Sequence, residues 1–389
     1  MLSWLAPLIV LGLVVFVHEL GHFLAAKAVG VYAPRFSLGW GKAILRWRRR
    51  GSETEYVISA LPIGGYVRMA SRADEAAAML EGGNEELKPG AESDPRWDPA
   101  AMIPHGPKPV PSDRWFESKP TWARVFILLA GVTMNALLTI VVSTGVFAVY
   151  GHRYTPAVVD SLMAGWPAEK ADFRHGDSVV AVDGKPVHDW NDVASRIAVS
   201  AGREMRVDVV RGGIRESLRV TPSSQRPPDN AAGKADSIGM IGAWPVQRVA
   251  SERIPLGASL ASGWHATWQM AGSVVGVLGG LLRGTVSVKT LGGPIAIARV
   301  SVAAAQTGLG SLLSLIAFLS INLAVLNLLP IPILDGGQVL ITVAEGAMGK
   351  PFGERARENM MRVGLAFILA LFVLVMFNDL KALGHSIFG

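Results

Sequence analysis

The chain has 389 residues, of which 50% are hydrophobic and only 17% are charged. Soluble globular proteins seldom combine these values, so the composition predicts insertion in a membrane. The net charge of +6 does not indicate a nucleic-acid partner, because the basic residues cluster beside the apolar segments, and the lack of cysteine excludes both disulfides and cysteine-ligated zinc.

Charge-free apolar segments recur along the chain, and a membrane-spanning helix needs about 20 apolar residues. We predict spans at 4–26, 123–150, 311–334 and 361–383. The first segment lacks a basic leader and a small-residue cleavage site, which favours a retained span over a signal peptide. Basic residues follow the first span and flank the others. By the positive-inside bias these flanks face the cytosol, and both termini lie on the outer side of the membrane.

The first two predicted spans are joined by a segment of strand-like character. Apolar and polar residues alternate from Phe36 to Trp47, and a turn at 50–52 precedes a second alternating run. This pattern predicts a short β-hairpin or sheet against the cytosolic face of the membrane. Residues 71–120 are rich in proline, glycine and acidic residues, which predicts a mobile cytosolic loop.

A change of character at 155–222 predicts a small β-rich soluble module on the outer side. A strand that ends at the turn Asp183-Gly184 is followed by a short helix and a hairpin with Gly212-Gly213 at its tip. The predicted fold is therefore an α-helical polytopic membrane protein with four spans. Its parts are 1–150 with two spans, 151–225 with the module, 226–310 with a linker and interfacial helices, and 311–389 with the last two spans.

The segment 254–282 is long enough to span a membrane but only moderately apolar. If it does not cross, the third span runs inward and ends with Asp335 at the same depth as His18 and His22. If it crossed, Asp335 would lie at the opposite face, too far away to share one metal ion. We therefore interpret 254–282 as an interfacial or re-entrant helix.

The sequence HELGH at 18–22 lies inside the first predicted span. Positions four residues apart share one face of a helix, so His18 and His22 can bind one Zn²⁺, with Glu19 beside them as a base. An ordinary pair of helix-face histidines is the alternative. An ionisable residue at the centre of a span costs about 2.5–3.5 kcal/mol on insertion scales, which disfavours that alternative.

Two histidines leave a catalytic zinc site one protein ligand short. Asp335 is the candidate, since it is the first charged residue after the run 300–334. Two prolines before it break the helix, and Gly336-Gly337 after it permits close approach of the backbone. The alternative is that Asp335 only marks the end of the span at the membrane interface.

Together, HELGH at 18–22 and NLLPIPILDGG at 327–337 resemble the site-2 protease family of intramembrane zinc metalloproteases. More specifically, it is similar to the bacterial regulator-of-sigma-E protease group, which implies a location in the bacterial inner (cell) membrane. Further matches are ALPIGGYV at 60–67, GGPI at 292–295 and FND at 377–379. The resemblance covers nearly the whole chain. One departure is Val132, where the family often has proline in its Gly-Pro-x-x-Asn pattern.

The resemblance implies a role for each matching residue. Zinc would be bound by His18, His22 and Asp335, and Glu19 would be the catalytic base. The substrate backbone would lie near Asn135, Asn327 and a membrane-associated strand that contains Gly64, Gly65 and Tyr66. The outer module would be a PDZ domain that binds peptides or excludes substrates with large outer domains.

The implied activity is hydrolysis of a transmembrane helix in a membrane-bound substrate, as in regulated intramembrane proteolysis. Such a substrate could be an anti-sigma factor after a first trimming cut, or a signal-peptide remnant. The expected partners are this substrate and membrane lipid, with no nucleic acid. Two alternatives are a metal transporter, which would usually show repeated halves, and an inactive PDZ-bearing scaffold, for which Glu19 would have no use.

Overall fold

The computed structural model describes residues 3–49, 52–71, 111–225, 238–248, 250–288 and 291–388. Most of the loop predicted at 71–120, and part of the predicted linker, lie outside these residues. The helices are α1 (Ala6–Ala28), α2 (Thr121–Tyr150), α3 (Pro167–Lys170), α4 (Trp190–Ala198), α5 (Leu256–Arg283), α6 (Pro294–Thr307), α7 (Leu309–Asn327), α8 (Asp335–Met348) and α9 (Glu354–Phe388).

The strands are short apart from the first two. They are β1 (Arg35–Trp47), β2 (Glu55–Arg68), β3 (His152–Tyr154), β4 (Val159–Leu162), β5 (Ser178–Val182), β6 (Lys185–Pro186), β7 (Met205–Arg211), β8 (Ile214–Val220), β9 (Ser223–Gln225), β10 (Ile238–Met240), β11 (Ala243–Pro245) and β12 (Ala250–Glu252). The chain divides into two compact units, one of Met1–Gly145, Leu260–Gly276 and Val288–Gly389, and one of Val146–Ser259 and Val277–Ser287.

Four helices of the described residues are long and apolar enough to cross a membrane. They are Ser3–Ala28, Thr121–Tyr150, Leu309–Asn327 and Arg355–Leu383. This finding confirms the prediction of a polytopic membrane protein. The third helix ends at Asn327, before the position predicted for the span end, because Pro330 and Pro332 cannot continue it.

Close helix packing brings α1 against α2 and α7 in the first unit. A Cβ atom on Gly21 would overlap the carbonyl oxygen of Ala130, so only glycine allows this approach of α1 to α2. Val10 and Val14 of α1 pack with Ile316 of α7 in a buried cluster. Small residues at crossings are typical of membrane helices, whose association depends on close contact rather than on water exclusion.

β1 and β2 form a more complex sheet than the predicted short hairpin. Residues 35–38 lie parallel to 55–58, with Arg35 opposite Glu55, and antiparallel to 65–68, with Arg35 also opposite Arg68. Residues 43–47 run antiparallel to 56–59 on the other side. The segment 65–68 is therefore an edge, with no further strand paired to it among the described residues. Its Val67 packs with Phe23 of α1 in a shared apolar cluster.

Helix α5 packs along the membrane-spanning helices rather than apart from them. A Cβ on Gly263 would overlap the hydroxyl of Thr144 in α2, and Ala271 is buried with Val132 of α2 and Ile321 of α7. These partners lie well inside the second and third candidate spans. The interfacial or re-entrant placement of residues 254–282 stays a prediction.

Two motifs that lie far apart in the sequence meet at the start of α6. The carboxylate of Asp379 in α9 accepts backbone N–H bonds from Gly293 (2.9 Å) and Ile295 (2.8 Å). The amide of Asn378 donates to the carbonyl of Val288 (2.8 Å). A carboxylate at the start of a helix satisfies N–H groups that have no partner within the helix. The motifs GGPI and FND therefore join α9 to α6.

The second unit contains the predicted β-rich module, with a four-stranded sheet in the order β6-β5-β7-β8. Val159, Val193, Val207 and Val209 belong to its buried core. Strand β10 packs closely against α4. A Cβ on Gly239 of β10 would overlap the carbonyl oxygen of Ile197 in α4. The β-rich character agrees with the sequence pattern, while its identity as a PDZ domain and its peptide binding stay predictions.

A buried carboxylate in β7 gives this module a predicted acid sensitivity. Hydrogen bonds from Arg206, Ser217 and Arg215 hold the pKa of Asp208 below its ordinary value. We expect Asp208→Asn to lower the module's stability by about 1–3 kcal/mol near neutral pH, since charged hydrogen bonds are lost. The depressed pKa means that this stabilisation is complete above the unfolded pKa of about 3.9 and is lost as the pH falls through the folded pKa.

Hydrogen exchange of β7 and β8 amides in the full chain measures this effect. The gap between parent and variant should be widest near neutral pH and should close on acidification. Asp160→Asn is the control, because the Asp160 side chain is 46% exposed. An equal loss of protection in both variants would contradict the assignment.

Candidate metal centre

The two histidines of HELGH lie one turn apart on α1 and are both buried. Their Nε2 atoms are 3.2 Å apart. Asp335 reaches the same point from the first residue of α8, with its Oδ2 3.2 Å from Nε2 of His18 and 3.4 Å from Nε2 of His22. The structure therefore brings together the three residues that were predicted as zinc ligands.

Asp335 is positioned by the broken backbone that joins α7 to α8. A Cβ on Gly336 would overlap the carbonyl of Leu328, and one on Gly337 would overlap the carbonyl of Ile331. Only glycine permits this compact turn, which starts α8 at Asp335. The position also places the carboxylate at the positive end of the helix dipole.

Helix α8 is held at its other end by Glu345, whose side chain is 3% exposed. Glu345 accepts hydrogen bonds from Arg124 of α2 (2.8 Å) and Arg357 of α9 (2.7 Å). Burial alone would raise the pKa of Glu345, but these bonds keep the pKa below its ordinary value. The ion pairs therefore tie the helix that carries Asp335 to the second and fourth candidate spans.

The geometry fits a zinc ion without rearrangement. Tetrahedral zinc with ligands at about 2.0–2.1 Å has ligand atoms about 3.3–3.4 Å apart, close to the three separations found here. Oδ2 of Asp335 is buried and has no hydrogen-bond partner among the described residues. A cation shared by all three groups would satisfy this oxygen.

The tautomer of His22 supports the same conclusion. Its Nδ1 lies 2.9 Å from the carbonyl oxygen of Ile127. A carbonyl can only accept, so Nδ1 donates, and Nε2 of the neutral ring presents its lone pair toward Asp335. Acceptors facing one another at this distance require a cation or a proton between them.

Gly131 of α2 makes room for both rings. A Cβ there would overlap Nε2 of His22 and lie 2.8 Å from Cε1 of His18. The α2 backbone thus forms the wall behind the histidines.

Asn135 is fully buried one turn along the same wall. Its side-chain nitrogen lies 3.4 Å from Nδ1 of His18, and its Oδ1 has no partner among the described residues. With Nε2 of His18 on a metal, Nδ1 carries the proton, and rotation of the amide brings Oδ1 into position to accept it. Asn135 contacts His18 and not an open cleft, so its geometry favours a positioning residue over the predicted contact with substrate.

Glu19 lies beside the three ligand groups and interacts electrostatically with each of them. Its carboxylate accepts a hydrogen bond from the backbone N–H of Val67 in the edge segment of β2. Gly65 also lies against this side chain, since a Cβ there would be 3.4 Å from Cγ of Glu19. The sheet therefore orients the predicted base.

The other predicted substrate contacts lie on the partly exposed side of the site. The amide nitrogen of Asn327 is 3.2 Å from Nε2 of His18. Gly64, Gly65 and Tyr66 are partly exposed in the segment that passes Glu19. These residues stay candidates for binding a substrate backbone.

Sequence reasoning missed the carbonyl of Ile127, the N–H of Val67 and the close approach of Gly131. Backbone groups carry no side-chain signal, so no pattern could have shown the first two. Gly131 had a weak signal, because it opens the segment GVTMN that also contains Asn135.

Comparison with known proteins gives a match over nearly the whole chain. Residues 6–371 match the profile of peptidase family M50. Zinc metalloprotease RasP of Bacillus licheniformis is 28% identical over 97% of this chain and 99% of its own length. Metalloprotease MmpA of Caulobacter vibrioides is 32% identical over 96% of this chain and 94% of its own length. Zinc metalloprotease RasP of Geobacillus kaustophilus is 29% identical over 97% of this chain and 98% of its own length.

Gly131→Ala tests the packing behind the ligands. We expect most of the bound zinc to be lost, because the added methyl group must displace His22 from its position. Metal content of the purified protein measures this loss. Gly145→Ala in the same helix is the control, since a Cβ at Gly145 meets nothing within 4 Å. Full zinc content in Gly131→Ala would contradict the geometry.

Asn135→Leu tests the positioning of His18. Loss of the group that orients a metal ligand typically weakens metal affinity by about 10–100-fold. Titration against a competing chelator measures the change. Asn135→Asp retains an acceptor for Nδ1 and should bind zinc more tightly than the leucine variant. Equal affinities in both variants and the parent would remove Asn135 from this role.

Proposed function

The chain is a zinc metalloprotease of peptidase family M50, and we propose that it cleaves a peptide bond inside a transmembrane segment of a membrane-bound protein. The observation that carries this proposal is the position of the site. His18, His22 and Glu19 lie within the first candidate span, and Asp335 meets them there. A substrate peptide bond that reaches this site therefore belongs to a segment that lies within the membrane.

His18, His22 and Asp335 are the residues that would hold the zinc ion. When bound, zinc supplies Lewis-acid chemistry, which polarises the scissile carbonyl and makes a water molecule more acidic. Glu19 takes the proton from the attacking water and returns it to the leaving nitrogen. The N–H of Val67 holds the Glu19 carboxylate in the orientation for both transfers. The amide nitrogen of Asn327 lies 3.2 Å from Nε2 of His18, and its proposed role is to donate a hydrogen bond to the substrate carbonyl.

A transmembrane helix hides its peptide bonds in its own hydrogen bonds, so it must unwind before cleavage. The edge segment 65–68 offers replacement partners. The N–H of Val67 interacts with Glu19 on this open edge. Backbone groups two residues apart face the same edge, so those of Gly65 face it as well. An unwound substrate can pair with this edge as an added strand.

The distribution of basic residues supports a fixed orientation. Arg46 and Arg48 follow the first candidate span, and Arg124 and Arg357 lie near the starts of the second and fourth. The positive-inside bias then puts these ends in the cytosol of a bacterial cell and the β-rich module outside. Anti-sigma factors and signal-peptide remnants are two proposed substrate classes, because both have a transmembrane segment.

Glu19→Gln is the decisive variant. We expect cleavage of a single-span substrate to fall by about 10²–10⁴-fold, the usual contribution of a positioned base, while zinc content is retained. His22→Ala should lose both zinc and cleavage. Glu358→Gln is the matched control, because Glu358 is exposed and pairs only with Arg362 among the described residues.

The assay uses the purified full chain in detergent or vesicles and follows the substrate fragments by mass spectrometry. Persistent cleavage by Glu19→Gln would overturn the proposed mechanism. Cleavage only outside the transmembrane segment would overturn the proposed substrate class.

A further inference from the structure

An apolar groove runs between α1 and the sheet of β1 and β2, with a volume of about 370 Å³. We call it the α1–sheet groove. Among the described residues, its lining is almost entirely apolar. The α1 side is formed by Leu8, Gly12 and Phe16, and the sheet side by Leu38, Ile58 and Gly64.

The groove leads along α1 to the predicted base. Gly12, Phe16 and Glu19 are spaced four and three residues apart, so they follow one face of the helix. With a rise of 1.5 Å per residue, Gly12 lies about 10 Å from Glu19 along the axis. An extended chain covers this distance in about three residues.

On the sheet side, the groove also continues toward Glu19. Gly64 lines the groove, and the next residue, Gly65, lies against the Glu19 side chain. Gly39 also lines the groove, and both Gly39 and Gly64 have positive φ angles (85° and 86°) that favour glycine. Their missing side chains leave the floor of the groove open.

We propose that the α1–sheet groove receives apolar side chains of the substrate's transmembrane segment, about three residues from the scissile bond. This inference rests on the proposed function and adds a specificity-determining surface to it. The groove lies beside the first candidate span, and Ile9 at its rim is 55% exposed. Polar side chains would lose hydration there without gaining hydrogen bonds, so the groove selects apolar residues.

Gly12 offers a clean steric test. A Cβ at Gly12 meets nothing within 4 Å, and Gly12 lines the groove, so Gly12→Phe adds a ring there with no clash at its Cβ. We expect cleavage of a single-span substrate to fall by roughly 100-fold, the effect of misplacing a reacting bond. Zinc content should match the parent, and so should turnover of a short soluble peptide that ends before the groove.

Gly145→Phe is the matched control, because it adds the same side chain to open space on another spanning helix. It should leave cleavage of the single-span substrate unchanged. Wild-type cleavage by Gly12→Phe would overturn the groove proposal and leave the proposed function intact. Failure of the parent chain to cleave any transmembrane segment would instead overturn the proposed function.

Cross-linking provides a positional test, because the chain has no cysteine of its own. Gly12→Cys in the inactive Glu19→Gln background is mixed with substrates that carry one cysteine at successive positions, and mild oxidation forms the disulfide. We expect cross-links to peak about three residues from the cleavage site on one side. Gly145→Cys should not cross-link at these positions. A flat profile, or equal cross-linking of both variants, would overturn the proposal.

Discussion

The convergence of two imidazoles and one carboxylate within 3.2–3.4 Å of one another is the interaction on which the rest of the structure depends. The imidazoles are on α1 and the carboxylate is at the start of α8. Ionisable groups at membrane depth are costly, and a shared cation offsets that cost. The ion pairs of Glu345 fix α8, and the carbonyl of Ile127 fixes the ring of His22. Each contact limits the freedom of a ligand.

The close approach of backbones makes this convergence possible. Gly21 and Gly131 bring α1 against α2, while Gly336 and Gly337 fold the turn before α8. A methyl group at any of these four positions would overlap a neighbouring atom. The glycines are therefore part of the metal centre, although none of them carries a functional group.

In the proposed function, the sheet of β1 and β2 links the metal centre to a substrate. Its edge segment interacts with Glu19, and residues of both strands line the α1–sheet groove. The proposals give this one small element three roles: it orients the base, pairs with an unwound backbone and selects apolar side chains. This arrangement explains why so many strand residues lie beside a membrane-spanning helix.

The sequence by itself determined the number of spans, because hydropathy and length suffice for a membrane helix. It also predicted His18, Glu19 and His22 by their helical spacing, and Asp335 as the first charge after a long apolar run, between helix-breaking prolines and a glycine pair. Only the tertiary structure decided the four-segment order of the sheet, the packing of α5 and the places of Ile127, Gly131 and Asn135. Those contacts join segments far apart in the chain, and packing between distant segments leaves no periodic pattern in the sequence.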